Sequence, residues 1–484
     1  MFVAASSVDA TAQQPDRPPN IVFIFFDDLG YGDWSCFNGH ASQTPNIDAV
    51  AAAGTRYSSF YVSQAVCTAS RASLLSGCYA NRVGLEGALN HTSRVGINPD
   101  ERLLPELLQE AGYATGMFGK WHLGSPELFN PLDHGFDTWL GIPYSNDNSQ
   151  YHPVLAAEMP PLPLYRDREV IELDPDQRQF TRRLTEASTE FIREHADGPF
   201  FLYVPHVMPH VPIFASEQFA GSTGRGLYAD VVRELDWSVG QICDTLRELG
   251  LEQNTLVMIT SDNGPFLSYG SHAGSNGGLR EGKLTSYEGG VRVPMVARWP
   301  GKIPAARSCD TPLASIDLLP TFCSIAEAPL PEREIDGRNA MALLFHPETA
   351  ETPHEALYFY SGGELHAVRG GRWKLHFAHP YLTVNGQSRD DGKPASWGEL
   401  APKGIEQSGV DGIASRHGYR VERQTLALYD LKADPAESVD MSRQHPDIVA
   451  RLTALGEAMR QELGDSLTGT VGGENRPVGS AAGP

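Results

Sequence analysis

The chain has 484 residues, enough for one large domain and a smaller one, and its 41% hydrophobic and 20% charged residues are those of an ordinary globular protein. Its 60 acidic and 38 basic residues give a formal net charge of −22, which argues against nucleic acid as a partner because phosphate backbones bind basic patches. No apolar run approaches the ~20 residues of a membrane span, so we expect no transmembrane segment.

The amino-terminal segment, 1–19, is rich in Ala, Ser, Gln and Pro. We predict a flexible tail or the remnant of an export signal with a cleavage site near 10–12, although the basic start and long apolar core of a signal are missing. The six cysteines show no regular disulfide spacing, which leaves the redox compartment open. A periplasmic or secreted location is an expectation that rests on this segment.

The long first part of the chain alternates apolar runs with amphipathic stretches, as is typical of β-α-β architecture. Four apolar runs without polar alternation predict central strands covered on both faces, at 21–26, 114–118, 200–204 and 256–259. Helices are predicted at 47–53, 103–111, 179–195 and 228–249. The sequence therefore predicts an α/β fold with a large mixed, mostly parallel sheet sandwiched by helices, in a domain spanning 20–346.

The pattern changes after residue 345, and we expect a smaller C-terminal α+β domain at 347–464. Its predicted elements are a short antiparallel sheet and a closing helix, with strands at 356–360, 365–369, 372–377 and 426–431 and the helix at about 447–463. The segment 383–416 is predicted to be a long loop, from which Trp397 or Arg416 could reach a cleft. Residues 465–484 are predicted to form a flexible tail.

Polar residues follow each of the four predicted central strands at its carboxyl end, which is where open α/β sheets bind ligands. An isolated Asp-Asp pair is more often a turn or a helix cap, but four such coincidences in one sheet favour a common site. The residues are Asp27 and Asp28, Lys120 and His122, His206 and His210, and Asp262 and Asn263.

The segment 67–77, with the sequence CTASRASLLSG, resembles the activation motif of type I sulfatases, in which the cysteine is oxidised to formylglycine. A lone cysteine at a helix start is usually a small buried hydrophobe, so Cys67 alone does not decide its role. An unmodified thiol would lack an easy second step. The hydrated aldehyde has two hydroxyls, of which one attacks sulfur and the other later expels sulfate.

Over about 20–344, the chain resembles the sulfatase branch of the alkaline-phosphatase superfamily. Within that branch it is similar to the arylsulfatase A and N-acetylgalactosamine-6-sulfatase type. It rests on TPNID at 44–48, GIPYSND at 141–147, DNG at 262–264 and GKLTSYEGGVR at 282–292. LYDL at 428–431 and DPAE at 434–437 also resemble the small second domain of this family.

The resemblance implies that Asp27, Asp28, Asp262 and Asn263 bind one divalent cation, with the formylglycine made from Cys67 completing the protein ligands. These oxygen donors suit Ca²⁺, or Mg²⁺, better than zinc. Phosphatase relatives with two zinc ions tend to carry histidine beside the corresponding aspartate, so the asparagine favours a single hard ion.

Arg71 lies four residues after Cys67, which places both on one face of a helix and lets the guanidinium neutralise nearby acidic ligands. By resemblance, Lys120 and Lys283 hold sulfate oxygens. His122 assists the diol and accepts a proton during sulfate release, and His210, in a His-x-Pro pattern, protonates the leaving alcohol.

Two further residues are predicted to bind substrate. Ser145 matches a polar pocket residue of the family. For His206 two interpretations stay open, since it either lines the pocket or satisfies a backbone carbonyl.

The sequence thus predicts a sulfuric ester hydrolase acting on sulfated saccharides, matured by a formylglycine-generating enzyme. The alternative enzyme is a phosphonate or phosphate ester hydrolase with the same nucleophile, and the alternative from another class is a catalytically silent glycan-binding protein. The sequence leaves the sugar, the sulfate position and the oligomeric state open.

Overall fold

The computed structural model of the protein describes residues 17–37, 43–407 and 409–480. Its strands are β1 (Asn20–Phe26), β2 (Thr55–Tyr61), β3 (Val95–Gly96), β4 (Ala114–Phe118), β5 (Thr138–Gly141), β6 (Pro163–Arg166), β7 (Glu169–Leu173), β8 (Phe200–Pro205), β9 (Thr255–Ser261), β10 (Arg292–Arg298), β11 (Arg307–Cys309), β12 (Leu313–Ala314), β13 (Leu357–Ser361), β14 (Glu364–Gly370), β15 (Trp373–His376), β16 (His379–Val384), β17 (Tyr419–Gln424), β18 (Ala427–Asp430) and β19 (Gly479–Ser480). Its α-helices are α1 (Pro45–Ala52), α2 (Cys67–Ser76), α3 (Leu104–Glu110), α4 (Phe180–Glu194), α5 (Leu227–Glu248), α6 (Glu288–Val291), α7 (Leu318–Ala326), α8 (Met341–Phe345), α9 (Val410–His417) and α10 (Pro446–Leu463). The expected tail or signal remnant at 1–19 lies outside the described residues except for 17–19.

A large mixed sheet forms the centre of the fold, with the strand order β11-β2-β10-β9-β1-β8-β4-β5-β6-β7, and β12 also pairs with β2. Its five middle strands, from β9 to β5, are all parallel. Antiparallel pairs flank them through β10 on one side and through β6 and β7 on the other. The mixed, mostly parallel sheet predicted from the sequence is confirmed, and β1, β4, β8 and β9 are its four predicted central strands.

Helices cover both faces of this sheet, which explains why its central strands lack polar alternation. On β1, Phe23 and Phe25 join a buried cluster with apolar side chains of α2, α3 and α7. The intervening Ile24 and Phe26 join a second cluster with side chains of α1, α4 and α5. Successive residues of β1 therefore enter opposite apolar layers.

A four-stranded antiparallel sheet, β13-β14-β15-β18, follows in the C-terminal part, and α10 packs on β14. Leu365 and Leu428 of this sheet belong to the same buried cluster as Phe23 of β1. The predicted boundary at 346/347 falls between α8 and β13. In the described part of the chain, no helix combines the length and the apolar character needed to cross a membrane.

The predicted loop at 383–416 is more ordered than expected, because both of its ends belong to regular elements. β16 pairs with β17 as an antiparallel ribbon from His379↔Gln424 to Val384↔Tyr419, and α9 precedes β17 directly. The ribbon was missed because its strands are distant in sequence and β17 carries mostly exposed polar residues.

The segment predicted to be a flexible tail, 465–484, makes specific contacts in its described part, 465–480. Asp465 is buried and accepts a hydrogen bond from Arg460 Nε at 2.7 Å. Further along, β19 pairs with β3, and Arg476 Nε lies 3.2 Å from a carboxylate oxygen of Glu101. These long-range contacts hold a segment whose composition alone resembles a frayed end. The last four residues, 481–484, lie outside the described part.

Candidate active site

The four acidic and amide side chains predicted as metal ligands meet at the carboxyl ends of two adjacent parallel strands. Asp27 and Asp28 follow β1, and Asp262 and Asn263 follow β9, with Phe26 and Ser261 in register as the last strand residues. The backbone N–H of Asp28 donates to Asp262 Oδ1 at 3.0 Å, and Asn263 Nδ2 donates to Asp28 Oδ1 at 2.7 Å. All four side chains are buried.

Cys67 begins α2, and all ten residues of this helix are buried. Its Sγ lies 3.3 Å from Asp27 Oδ1 and 3.3 Å from Lys283 Nζ. Burial raises the pKa of the Cys67 thiol well above its usual range, and the charge of Asp27 adds to this. The unmodified thiol is therefore protonated at neutral pH and is a poor nucleophile.

Three cationic side chains surround this cluster. Arg71 Nη2 lies 2.8 Å from Asp262 Oδ2, Lys120 Nζ lies 2.5 Å from Asp27 Oδ2, and Lys283 Nζ lies 2.6 Å from Asp28 Oδ1. Burial by itself would raise the pKa of Asp27, but Lys120 and the other nearby cationic groups outweigh it and hold the pKa well below its usual range. This carboxylate is therefore ionised.

The oxygen atoms of this cluster fit a hard divalent cation. Asn263 Oδ1 is buried and has no hydrogen-bond partner among the described residues, as expected of an atom reserved for a ligand. Burial, and then the neighbouring charge of Asp27, raise the pKa of Asp262, so the two carboxylates resist sharing a site while both are charged. A divalent cation would relieve this repulsion, and carboxylate and amide oxygens are its preferred ligands.

Lys120 and His122 follow β4, and His122 is held by its own hydrogen bond. Its Nε2 lies 2.7 Å from the carbonyl oxygen of Leu89, so Nε2–H is the donor and Nδ1 carries the lone pair. Nδ1 has no partner in the described part of the chain. Burial, and then Lys120, hold the pKa of His122 well below its usual range. Asp28 and His122 both have left-handed backbones, with φ of 66° and 61°, a strained state that clusters at active sites.

His210 faces the cluster from the segment after β8. Its Nδ1 lies 2.6 Å from the carbonyl oxygen of Val211 and 3.1 Å from Asn146 Oδ1, which assigns the proton to Nδ1. Its Nε2 lies 3.7 Å from Asp28 Oδ2, and burial lowers the pKa of His210. One ligand atom each from Asp27, Asp28, Cys67 and His210 lies within 4.8 Å of the others, so His210 also borders the space that a cation would fill.

His206 does not join the site, and the substrate-binding role predicted for it is not supported by the structure. Its ring stacks on Phe26 at a centroid distance of 5.6 Å, in the layer that faces α5. Its Nε2 lies 3.1 Å from Ser238 Oγ, so neither interpretation offered by the sequence describes its contacts. Burial lowers the pKa of His206 to about 3.

A cavity of about 420 Å³ opens from Cys67 to the surface, and it is lined by Ser145, predicted to bind substrate, together with Lys283 and His210. Most of the wall beyond these residues, including Asp147, Asn148 and His417, was not predicted from the sequence, and the sequence left the position of Arg416 open. The signal for Asp147 was present, since it closes the GIPYSND motif at 141–147. Much of the remaining wall comes from residues 64–66 and 86–90, from α9 and from the turn between β13 and β14, which only the fold brings to the cavity.

Comparison with family models matches residues 19–328 to the Sulfatase family and residues 352–475 to the C-terminal region of aryl-sulfatase. The chain is 40% identical to human (Homo sapiens) arylsulfatase A over 93% of its own length and 89% of that protein. It is 34% identical to dog (Canis lupus familiaris) N-acetylgalactosamine-6-sulfatase over 96% of its own length and 90% of that protein.

Solved structures show the same likeness over nearly the whole chain. The PsFucS1 sulfatase from Pseudoalteromonas sp. superposes with a TM-score of 0.78 and 25% identity, covering 96% of this chain and 92% of that one. Ps i-CgsB in complex with k-i-k-neocarrahexaose superposes with a TM-score of 0.73 and 27% identity, covering 92% and 93%.

Proposed function

We propose that this chain, which belongs to the sulfatase family and hydrolyses sulfate esters, carries out that hydrolysis at Cys67, near the carboxyl ends of β1 and β9. The observation that carries this proposal is the contact of Cys67 Sγ with Asp27 Oδ1 and with Lys283 Nζ, each at 3.3 Å, where Cys67 and Lys283 line the cavity. Such a pocket combines a place for a nucleophile with the positive charge that a sulfate group needs. It also offsets the acidic surface of the molecule locally.

The family implies a metal ion and a formylglycine, and we propose that both act here. The hydrated aldehyde made from Cys67 by a formylglycine-generating enzyme supplies an oxygen nucleophile in place of the protonated thiol. We propose Asp27, Asp28, Asp262 and Asn263 as the ligands of one Ca²⁺, with Mg²⁺ as the alternative. A bound divalent cation would supply Lewis-acid stabilisation of charge on the sulfate oxygens.

The basic side chains divide the remaining work. Lys120 and Lys283 would hold sulfate oxygens, since both ammonium groups lie within the cluster around Asp27 and Asp28. Arg71 would keep Asp27 and Asp262 ionised and fixed, because its guanidinium contacts both. These three cations would orient the ester and stabilise charge as the S–O bond breaks.

The two histidines would move protons on opposite sides of the reaction. His122 presents an unprotonated Nδ1, and the hydrogen bond from Nε2 to the Leu89 carbonyl supports its role as a proton acceptor during sulfate release. His210 presents Nε2 to the cavity, with Nδ1–H anchored on Val211 and Asn146; in its imidazolium form, which a bound sulfate anion would favour, it would give the Nε2 proton to the leaving alcohol.

We infer that the substrate is a sulfated saccharide, cleaved in an exo or small-oligosaccharide mode. Support comes from N-acetylgalactosamine-6-sulfatase among the relatives and from the neocarrahexaose bound to Ps i-CgsB. The net charge of −22 would repel a long polyanion outside the pocket. Strong binding of a long sulfated polymer at physiological salt would contradict the exo mode.

A direct comparison of two ester classes tests the proposed function against its alternative. The protein would be co-expressed with a formylglycine-generating enzyme, loaded with Ca²⁺ or Mg²⁺ after chelation, and assayed with 4-nitrophenyl sulfate and with a phosphate diester under identical conditions. We expect faster turnover of the sulfate ester and higher activity with Ca²⁺. Faster turnover of the diester would favour the phosphonate or phosphate ester hydrolase.

We also propose a periplasmic or secreted location, supported by the composition of residues 1–19. Fractionation of the expressing cell would test it. Recovery of the full-length chain in the cytoplasm alone would contradict it.

A further inference from the structure

A second polar region lies in the cavity wall, formed by Asp147 and Arg416. Asp147 is largely buried, with 12% of its side chain exposed, and its Oδ1 accepts a hydrogen bond from Asn148 Nδ2 at 3.0 Å. Its Oδ2 lies 3.9 Å from Nε2 of His152, a ring whose pKa is lowered by burial. The carboxylate thus lines the cavity with acceptor capacity left over.

Arg416 belongs to α9 and is oriented by backbone groups. Its Nη1 donates to the carbonyl oxygens of Gly404 and Gln407, at 2.9 and 2.8 Å, and its buried Nε has no partner among the described residues. Arg416 and Asp147 make no ion pair with each other in the described part of the chain. The cavity therefore has an acceptor and a donor in its wall that do not neutralise one another by contact.

The location of Asp147 relates it to the reacting bond. The side chain of Asn146, its neighbour in sequence, accepts from His210 Nδ1 at 3.1 Å. Burial would raise the pKa of Asp147, but the nearby basic groups, His210 first and then His152, outweigh it and lower the pKa, so the carboxylate is ionised. Asp147 and His210 both line the cavity. If His210 protonates the ester oxygen, the substituents on the carbon atoms next to that oxygen share the cavity with Asp147.

We propose that Asp147 and Arg416 form a recognition site for the hydroxyl groups of a monosulfated saccharide. This inference rests on the proposed function and deepens it. A sugar hydroxyl donates to a carboxylate and accepts from a guanidinium, so a polyhydroxylated ring satisfies both groups. A second sulfate beside Asp147 would be repelled, which favours a ring with one sulfate near the reacting bond.

The apolar part of the cavity wall also suits a sugar ring. Val410 and Ile413 of α9, with Leu382 of β16 and Phe266, supply apolar surface. A ring that places its C–H face on this surface directs hydroxyl groups at its edge toward polar partners. Aryl sulfates lack such hydroxyl groups, so they would fill the same cavity without using Asp147.

The test compares Asp147→Asn with the wild type, both carrying formylglycine and Ca²⁺, on a panel of monosulfated hexoses and on 4-nitrophenyl sulfate. Removal of one charge-assisted hydrogen bond should lower kcat/KM for the best hexose sulfate by about 10- to 100-fold. We expect this loss to exceed the loss on 4-nitrophenyl sulfate by at least about tenfold. Asp244→Asn removes an equal charge from an exposed side chain and serves as the control, with no such difference.

The outcomes separate this inference from the proposed function. Equal losses of kcat/KM for the Asp147 variant on both substrates would overturn this inference. They would indicate that Asp147 acts through His210 or through the conformation of the segment around it. Unchanged hexose turnover would also overturn it, as would a wild type that hydrolyses 4-nitrophenyl sulfate but no hexose sulfate. A mature, metal-loaded wild type that hydrolyses neither would overturn the proposed function itself.

Discussion

Lys374 Nζ lies 2.9 Å from Glu288 Oε1, and both side chains are fully buried. Lys374 belongs to β15 of the C-terminal sheet, whereas Glu288 begins α6, which leads into β10 of the large sheet. The same ammonium group lies 3.1 Å from Glu437 Oε1, and Glu437 Oε2 accepts from the backbone N–H of Glu288. One buried cation therefore joins the two sheets through two carboxylates.

Substitution of Lys374 should destabilise the whole protein. Lys374→Met removes the cation that two buried carboxylates share and leaves Glu288 with Arg292 Nη1 at 3.4 Å. The loss of one partner of a buried ion pair costs about 3–5 kcal/mol in the free energy of unfolding. Arg168→Met is the matched control, because Arg168 and Asp133 form an exposed pair whose loss costs at most about 1 kcal/mol. Urea unfolding of both variants measures the difference. Equal effects of the two substitutions would show that the buried network does not contribute to stability.

The serine variant of the proposed nucleophile separates binding from turnover. Cys67→Ser offers a single hydroxyl, so sulfate transferred to it could not be expelled by a second one. We expect normal folding, no steady turnover and, at most, one equivalent of alcohol released per protein. In the wild type, mass spectrometry should show the peptide containing residue 67 about 18 Da lighter than the cysteine form. Multiple turnovers by the serine variant would exclude the diol mechanism.

Loss of one carboxylate should remove the proposed cation and the activity together. Asp262→Ala deletes a predicted ligand, and its effect on Ca²⁺ affinity should exceed the roughly 100-fold loss seen for residues that only support a metal ligand. Asp133→Ala, at an exposed carboxylate, is the control and should bind Ca²⁺ as the wild type does. Calorimetric titration of chelator-treated protein measures both. Full activity of chelator-washed Asp262→Ala would remove the metal assignment.

The strand ends were predictable from the sequence because each is marked by residues that are neighbours along the chain. β1, β4, β8 and β9 are apolar runs, and parallel strands must end at the same edge of the sheet, so the polar residues behind them had to converge. The direction of each side chain beyond a strand end depends instead on residues that are distant in sequence. The side chain of His206, directly after β8, lies on the face of the sheet that α5 covers. Only the packing of Phe26 and Ser238 around the ring determines this direction.

The cavity wall was hidden for a related reason. Asp147 lies in an irregular segment without periodicity, and its exposure to the cavity depends on neighbours such as His210, which is distant in sequence. Arg416 reaches the wall because β16 and β17 pair across a long intervening segment. Non-local pairing of polar strands leaves no period-two apolar pattern for the sequence to reveal.

Burial of His206 should make the protein less stable in acid. Its pKa is lowered from 6.5 to about 3 by burial, so between these values the unfolded chain binds a proton that the folded protein does not. The free energy of unfolding therefore falls as the pH drops below 6.5, and this residue alone accounts for about 2 kcal/mol between pH 7.5 and 5.

His206→Gln keeps a polar partner for Ser238 Oγ and has no such titration. Urea unfolding at the two pH values should show a smaller acid loss in this variant, by about that amount, with kcat on 4-nitrophenyl sulfate close to that of the wild type. His346→Gln, at an exposed histidine, should retain the full acid loss of the wild type. An identical loss in His206→Gln and the wild type would show that His206 is protonated in the folded protein, which its contacts with Phe26 and Ser238 argue against.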